Sequence, residues 1–416
     1  MHYAFQLGRE SQISTAELQA VFSAENITIQ STRKDNQYLI IKTNKKLEPQ
    51  YLMNKLGGTV KIMEQIAREA KEQCENEKEL INETVSYLNQ TLPTDKIHFS
   101  LSGSNAKKIA IQIKKELKAN KRSVRYIEPK NTATILHNKL VEKKTDLTLI
   151  GKDIFVTRAI QPIEEFGQRD FGRPGRDDKS GMLPPKLAKI MINLSKAKTS
   201  ETILDPFCGS GTIIMEALLM GFKNIIGTDI SPKAIDHTKQ NLKWLQENNQ
   251  QLANQTISQL TKLFQLDVDH IAKKFEANSI DAIIFEPFMG KPLTGKESKS
   301  ELVSQANELS PLYTNAFKNF YSVLKPGGTV TSIIPKFRLE LNYKQTTNSN
   351  YPKNKSNSLN SNPPPKSSII WIKVSCIEKI EKLGFSLIPL TEDSNSLLYH
   401  RKNQHVGREI WQFKKQ

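Results

Sequence analysis

The sequence predicts an α/β chain: a mostly parallel sheet with crossover helices in its C-terminal half, preceded by two smaller α/β units. Three observations predict it. From Lys186 onward, short apolar strands alternate with helical segments, the rhythm of a parallel sheet. Residues 1–66 and 96–160 show the same alternation on a smaller scale. The chain has 416 residues, too many for one compact core, so two or three domains are expected.

The N-terminal unit takes residues 1–66. YAFQLG, NQYLIIKT and TVKIMEQI read as strands, and SQISTAELQAVF reads as a helix capped by Ser11 or Ser14. PQYLMNKLGG is a short helix stopped by glycines. A second unit, 67–160, begins with an acidic helical connector and continues as KIHFSLSG, SVRYIEP, DLTLIG and DIFVTRAIQ strands. Between them NAKKIAIQIKKELKANKR places Ile109, Ile113 and Leu117 on one helical face and lysines elsewhere. TATILHNKLVEK is a further helix. Residues 161–185, rich in Gly, Pro and Arg, form a linker by composition. The third unit is 186–416. Within it 344–368, with four lysines and no acid, reads as a disordered insertion.

Charge narrows the partners. The net charge is +17, and residues 96–158 alone carry 15 Lys/Arg against 5 Asp/Glu, while residues 1–95 carry 11 against 13. A localised basic block is the footprint of a polyanion-binding surface, with Lys107, Lys108, Lys114, Arg122 and Arg125 as candidate phosphate contacts. The alternative is an ordinary solvated face in a lysine-rich chain. Cys74, Cys208 and Cys376 lie far apart, which argues against a disulfide framework and against a metal site. The N-terminus lacks a signal-peptide run and no stretch approaches the ~20 apolar residues of a membrane span, so a cytoplasmic protein is expected.

Two motifs carry chemistry. In TILDPFCGSGTIIMEALLMG a strand ends at Asp205, Gly209 and Gly211 permit a tight turn, and Thr212 opens a helix whose N-terminal amides face a crevice. Asp229 ends the next strand, where an acid can accept from two ribose hydroxyls. Ile214 stands in place of the third glycine of a dinucleotide fingerprint, and no Gly-Lys-Ser/Thr follows, so neither NAD nor a Walker loop is indicated. A carboxylate at Asp205 suits a sulfonium cation and repels a pyrophosphate. The second motif is DAIIFEPFMGKP, Asp281 to Pro292.

The glycine loop, LDVD and VLKPGGTV resemble the class I S-adenosylmethionine-dependent methyltransferases, a Rossmann-like fold with a seven-stranded, mostly parallel sheet. The resemblance implies S-adenosylmethionine as cofactor, held by Asp205, Phe207, Gly209, Gly211, Thr212, Asp229, Ile230, Asp267 and Val268, with Asp267 on the adenine amino group. It also relates Glu-Pro-Phe-Met-Gly, 286–290, to the Asp-Pro-Pro-Tyr box of amino-methylating enzymes. An exocyclic amine attacks a methyl group only when acceptors hold its hydrogens and localise its lone pair. Glu286 offers the carboxylate, Pro287 its carbonyl and Phe288 a stacking ring, while Met289 replaces the aromatic letter. These three, Glu286, Pro287 and Phe288, are the expected catalytic residues. The competing readings are a salt-bridged strand end and a domain that kept its cofactor pocket but lost catalysis.

RDFGRPGRDDKSGMLPPK, Arg169 to Lys186, with KRSVRYIEPK and the closing HVGREI, resembles the THUMP-domain-containing tRNA guanosine-N2 methyltransferases. That resemblance implies a ferredoxin-like N-terminal domain, a THUMP domain docking the tRNA acceptor end, and methylation of a guanosine N2 amine, expected at position 10. Lys179 to Pro185 would then lie near the cofactor. A small activating subunit is needed by some relatives and not by others, and no metal is implied. A DNA amino-methyltransferase and a non-catalytic tRNA-binding protein remain as alternatives.

Overall fold

A computed structural model of the chain describes residues 1–66, 76–176, 181–342, 367–402 and 404–416. Cys74, Lys179 and Ser180 lie outside the described residues, as does nearly all of the 344–368 insertion.

The first unit comprises β1 (His2–Leu7), α1 (Ser11–Ala24), β2 (Ile29–Asp35), β3 (Tyr38–Thr43), α2 (Pro49–Lys55) and β4 (Thr59–Gln65). The second comprises α3 (Glu77–Thr91), β5 (Ile97–Ser102), α4 (Ala106–Ala119), β6 (Val124–Tyr126), α5 (Thr132–His137), β7 (Asp146–Ile150) and β8 (Asp153–Ile160). β4 pairs antiparallel with β8, so both units share one eight-stranded sheet, ordered β2-β3-β1-β4-β8-β7-β5-β6. At the seam the buried Asp146 carboxylate accepts from Lys61 Nζ at 2.7 Å, Ser100 Oγ at 2.6 Å and Thr157 Oγ1 at 2.7 Å. A buried charge with three donors is satisfied, which is what burial demands of it.

Three local expectations are corrected. α1 is capped by Glu10 without a side-chain bond, not by Ser11 or Ser14, because the Ser14 and Thr15 hydroxyls turn back onto the carbonyls four residues earlier. β2 reads IQSTRKD and is mostly exposed, so no apolar alternation announced it; its pairing with β3 forms it. α5 ends at His137, six residues short of the expected helix, where Asn138 closes the turn.

In the C-terminal part, α6 (Ile163–Gly167) and a π-helical turn (Gln168–Gly172) precede α7 (Pro185–Ser195). Then come β9 (Thr202–Asp205), α8 (Thr212–Leu219), β10 (Asn224–Asp229), α9 (Pro232–Asn248), α10 (Ile257–Leu260), β11 (Thr261–Gln265), α11 (Ile271–Lys274), β12 (Ile280–Phe285), α12 (Lys299–Val323) and β13 (Leu324–Asn342). β14 (Ser367–Lys373), α13 (Ile377–Glu381), β15 (Phe385–Leu387), β16 (Ser396–Tyr399) and β17 (Val406–Lys415) complete the chain. Among the described residues the second sheet has nine strands and not the expected seven, because β14 and β16 pair onto its long strands. Seven follow the path β11-β10-β9-β12-β13-β17-β15, while β14 adds to β13 and β16 to β17. β9 to β13 run parallel and β17 antiparallel.

The strand order reverses between β9 and β12, and the crevice beyond their carboxyl ends is where such sheets bind ligands. β12 is buried on both faces, hence its continuous apolar run. Leu187, Met191, Ile214, Leu242 and Ile284 belong to one core cluster; Ile283, Phe285, Phe317, Phe320 and Phe413 belong to another.

The N-terminal unit is packed on the third one through α1 and α7. Ile13, Ala16 and Ala20 join the core cluster of Leu187 and Met191. Glu17, fully buried, accepts from the amides of Gly57 and Gly58 at 2.8 and 2.7 Å and from Asn193 Nδ2 at 2.7 Å.

Candidate active site

β9 delivers Asp205 to the crevice floor. Gly209 and Gly211 adopt φ of +53° and +81°, the left-handed region that favours glycine, and a Cβ at Gly211 would come within 2.7 Å of Thr238. The loop is held from below: Thr238 Oγ1 donates to the Gly209 carbonyl at 2.9 Å and Asn241 Nδ2 to the Ser210 carbonyl at 2.8 Å. Asp229, at the end of β10, accepts from the Gly209 amide through Oδ2 and from the Ser231 amide through Oδ1, both at 2.9 Å. These bonds fix the Asp229 carboxylate beside the glycine turn.

Asp205 is buried, and burial pushes its carboxyl well above the usual range; the Phe207 amide partly offsets this, while the Asp229 and Glu286 charges add to it. The carboxyls of Asp205, Asp229 and Glu286 thus lie near one another at the crevice, where a cationic guest would favour the charged form of Asp205. The Phe207 ring lies 5.3 Å from Phe285. Ile230 is 65% exposed at the mouth, unusual for isoleucine directly after a core strand. Asp267 caps the turn after β11 by accepting from the Asp269 amide at 3.0 Å, and Val268 is buried in the core cluster of Phe285.

The altered box lies across the crevice. Glu286 follows β12 and its Oε1 accepts from Arg408 Nε of β17 at 2.6 Å, both side chains being nearly buried. Burial alone would lower the Arg408 guanidinium, but the charge of Glu286 and the hydrogen bond to it outweigh burial and hold it above its ordinary value. The salt-bridged reading of Glu286 is therefore correct as far as it goes, and it involves one carboxylate oxygen. Pro287 is buried. Phe288 is 58% exposed, while its carbonyl accepts from the buried Tyr313 hydroxyl at 2.7 Å. Met289 is half-buried and packs against the core cluster of Leu187 and Ile284. Gly290 has φ +92°, and a Cβ there would collide with the Gln305 amide at 2.4 Å.

The described residues of the stretch read as a linker, 161–176 and 181–185, include packed structure. Arg169 Nε donates to Glu216 Oε1 of α8 at 2.6 Å, with both groups buried, and Lys189 Nζ is 3.8 Å from the other oxygen. Arg169, Lys186 and Lys189 all lie over the Phe166 ring, at 4.6, 5.4 and 5.2 Å. Arg173, 1% exposed, donates to Thr212 Oγ1 at 2.7 Å, and burial pulls its guanidinium down to about 10. Arg169 thus ties the segment to α8, and Arg173 buttresses the glycine loop.

The five basic candidates of the second unit stand apart from this crevice; among the described residues none contacts it. Lys107 and Lys108 form exposed pairs with Glu128 and Glu77 at 3.3 and 3.4 Å. Arg122 donates to the carbonyls of Leu92, Pro93 and Asp95, closing the end of α3. Lys114 is half-buried and Arg125 exposed. Sequence reasoning missed Arg408, Tyr313 and Glu216. Arg408 left a trace, an arginine at an inward position of the apolar strand VGREIWQF; Tyr313 and Glu216 sit on helices whose patterns do not single them out.

Residues 173–339 match the family model described as an RMKL-like methyltransferase domain, and residues 29–240 match one described as DNA methylase, a span that stops before Glu286. The chain is 30% identical over 196 residues to a tRNA (guanine(10)-N2)-dimethyltransferase of Methanothermobacter thermautotrophicus, covering 45% of this chain and 49% of that protein. It is 31% identical over 124 residues to a "probable tRNA (guanine(10)-N2)-dimethyltransferase" of Methanothermococcus thermolithotrophicus, covering 30% of this chain and 72% of that one. The matches thus span half or less of the length of the first two relatives, 49% and 39%. The solved structure of TrmN from Thermus thermophilus covers 100% of both chains with a TM-score of 0.50 and 13% identity, a likeness of fold. No helix of the described residues is long and apolar enough to cross a membrane.

Proposed function

This chain belongs to the tRNA guanine-N2 methyltransferase family, and from that premise we propose that it methylates the N2 amine of a guanosine in tRNA, at position 10, in the cytoplasm. The observation that carries the reading is the meeting of Asp205, Asp229 and Glu286 in one crevice, rimmed by the exposed Phe288. S-adenosylmethionine, when bound there, supplies an electrophilic methyl group on a sulfonium. The residues suit it: Asp229 accepts from ribose hydroxyls, Asp267 from the adenine amine, and Ile230 and Phe207 offer apolar surface to the adenine. Gly209 and Gly211 let backbone approach closely, Thr212 places the first amides of α8, Val268 backs the turn, and a bound sulfonium would draw the raised Asp205 carboxyl toward its charged form.

On the opposite wall, Glu286 and the Pro287 carbonyl accept the two hydrogens of the target amine and turn its lone pair toward the methyl group. Phe288 stacks on the base, which must leave its helical stack to reach the crevice. Residues 67–160, carrying the basic block, act as a THUMP domain that positions the acceptor end through phosphate contacts, behind a ferredoxin-like domain at 1–66.

The test is transfer of radiolabelled methyl from S-adenosylmethionine to unmodified tRNA, with Glu286→Gln in parallel. Label recovered as N2-methylguanosine or N2,N2-dimethylguanosine, and lost in the variant, is the expected result. No label from a protein that still binds cofactor and tRNA overturns the enzyme in favour of a binding protein. The match of residues 29–240 to the DNA methylase description favours a second reading, which label in duplex DNA instead of tRNA would establish. Activity of the chain alone would dispense with a small activating subunit.

A further inference from the structure

We propose that Arg408 is the positioning residue of this crevice: it holds Oε1 of Glu286 so that Oε2 receives a hydrogen of the substrate amine. The inference rests on the reading of Glu286 given above and explains how a glutamate serves where relatives of the box carry aspartate.

The extra methylene of glutamate adds a rotatable bond, and a free carboxylate at Glu286 would sample several staggered positions. Catalysis of this kind tolerates little of that, since a displacement of ~1 Å costs about a hundredfold. Arg408 removes the freedom. Its own backbone is fixed in the ladder, opposite Pro335 of β13 and Tyr399 of β16, and its side chain is 8% exposed. Nη2 points to the Gly181 carbonyl at 3.5 Å, a long contact that steers the fork more than it binds it.

The contact with Glu286 is single. Arginine and carboxylate often pair through two parallel bonds, which would consume both oxygens. Here Nε alone reaches Oε1, and among the described residues Oε2 has no hydrogen-bond partner. An ion pair that kept one oxygen open beside a cofactor crevice has the form needed to hold a substrate amine. The arginine also offsets the charge of Glu286. Arg408 does not touch the base; it acts through Glu286.

The experiment compares wild type, Arg408→Met, Arg408→Lys, Glu286→Gln and the Glu286→Gln/Arg408→Met double variant. Melting temperature, S-adenosylhomocysteine affinity by calorimetry, tRNA affinity, and single-turnover methyl transfer are measured on each. Arg408→Met should lose about a hundredfold in transfer rate with both affinities kept. Arg408→Lys should recover part of the loss, since an ammonium reaches the oxygen without the planar fork. The double variant should be no slower than Glu286→Gln alone, because the two side chains act as one unit. It also leaves no buried charge unpaired, so it remains informative if Arg408→Met fails to fold. Full-speed transfer in Arg408→Met, or losses that multiply in the double variant, overturns the inference while leaving the enzyme intact. Wild type that transfers nothing to tRNA overturns the functional reading and the inference together.

Discussion

Replacing Glu216 with leucine should unfold the catalytic half earlier and loosen the cofactor loop at the same time. Glu216 is fully buried on α8 and meets Arg169 at 2.6 Å and Lys189 at 3.8 Å, cations that are each 6% exposed. Removing the carboxylate takes from the buried Arg169 its close partner and from Lys189 a counter-charge. Breaking a buried pair on one side costs about 3–5 kcal/mol. At roughly 2–4 °C per kcal/mol for a unit of this size, the melting temperature should fall by about 6–20 °C. Arg169 anchors the segment that carries Arg173, whose guanidinium supports Thr212 at the glycine loop, so S-adenosylhomocysteine affinity should fall as well. The control is Glu216→Leu with Arg169→Met, which removes both partners of the closer pair and leaves Lys189 its bond to the Asn54 carbonyl at 2.8 Å. Urea unfolding and calorimetry on the three proteins decide it. A single variant within about 1 kcal/mol of wild type, or a double variant no better than the single, would refute the network as the tie between linker and loop.

Glu17 makes stability depend on pH in the direction opposite to most carboxylates. Burial raises it from 4.5 to about 6, against the pull of the Gly57 and Gly58 amides, so the folded chain binds the proton more tightly than the unfolded one. Its contribution is fully present below about pH 4.5 and is lost as pH rises through 6, about 2 kcal/mol in all; urea unfolding of wild type should carry this slope and Glu17→Gln should not. Phe288→Ala should weaken productive tRNA binding by about 1–3 kcal/mol, the worth of one stacked base, with cofactor affinity unchanged in calorimetry. Neutralising Lys107, Lys108, Lys114 and Arg125 together should reduce tRNA affinity and lower the magnitude of the salt slope, by up to about one for each phosphate left without its cation; an unchanged slope would remove them from the RNA path. Arg122 belongs outside that set, since its loss would also free three carbonyls at the end of α3.

The parallel sheet was legible because its strands are buried on both faces and read as apolar runs between turn residues, as AIIF does in β12. The glycine loop was legible for a different reason: the backbone geometry at Gly209 and Gly211 admits few other residues. β2 was not, because an exposed edge strand owes its conformation to pairing with β3 and not to its own side chains. The segment 161–185 was misjudged for the same kind of reason. Arginine, glycine and proline look like solvent-facing composition, yet Arg169 and Arg173 are buried, and what offsets their desolvation, Glu216 and Thr212, lies some 40 residues away in the chain.

The altered box shows where single-residue reasoning stops. Read alone, Glu-Pro-Phe-Met-Gly loses an aromatic and lengthens an acid, and either change could end catalysis. In the fold the changes have separate consequences. Met289 is half-buried against the core, and the exposed ring is that of Phe288 one residue earlier, with its carbonyl pinned by Tyr313. The lengthened acid meets Arg408, which comes from the last strand, 122 residues away, and could not be paired with it from spacing. A buried ion pair is seldom the most stable filling for such a space, so apolar residues of similar volume at both Glu286 and Arg408 should fold at least as well as the pair. Such a double variant that keeps the fold and loses methyl transfer would show that the pair serves the crevice and not stability; one that keeps both would show that the pair serves neither.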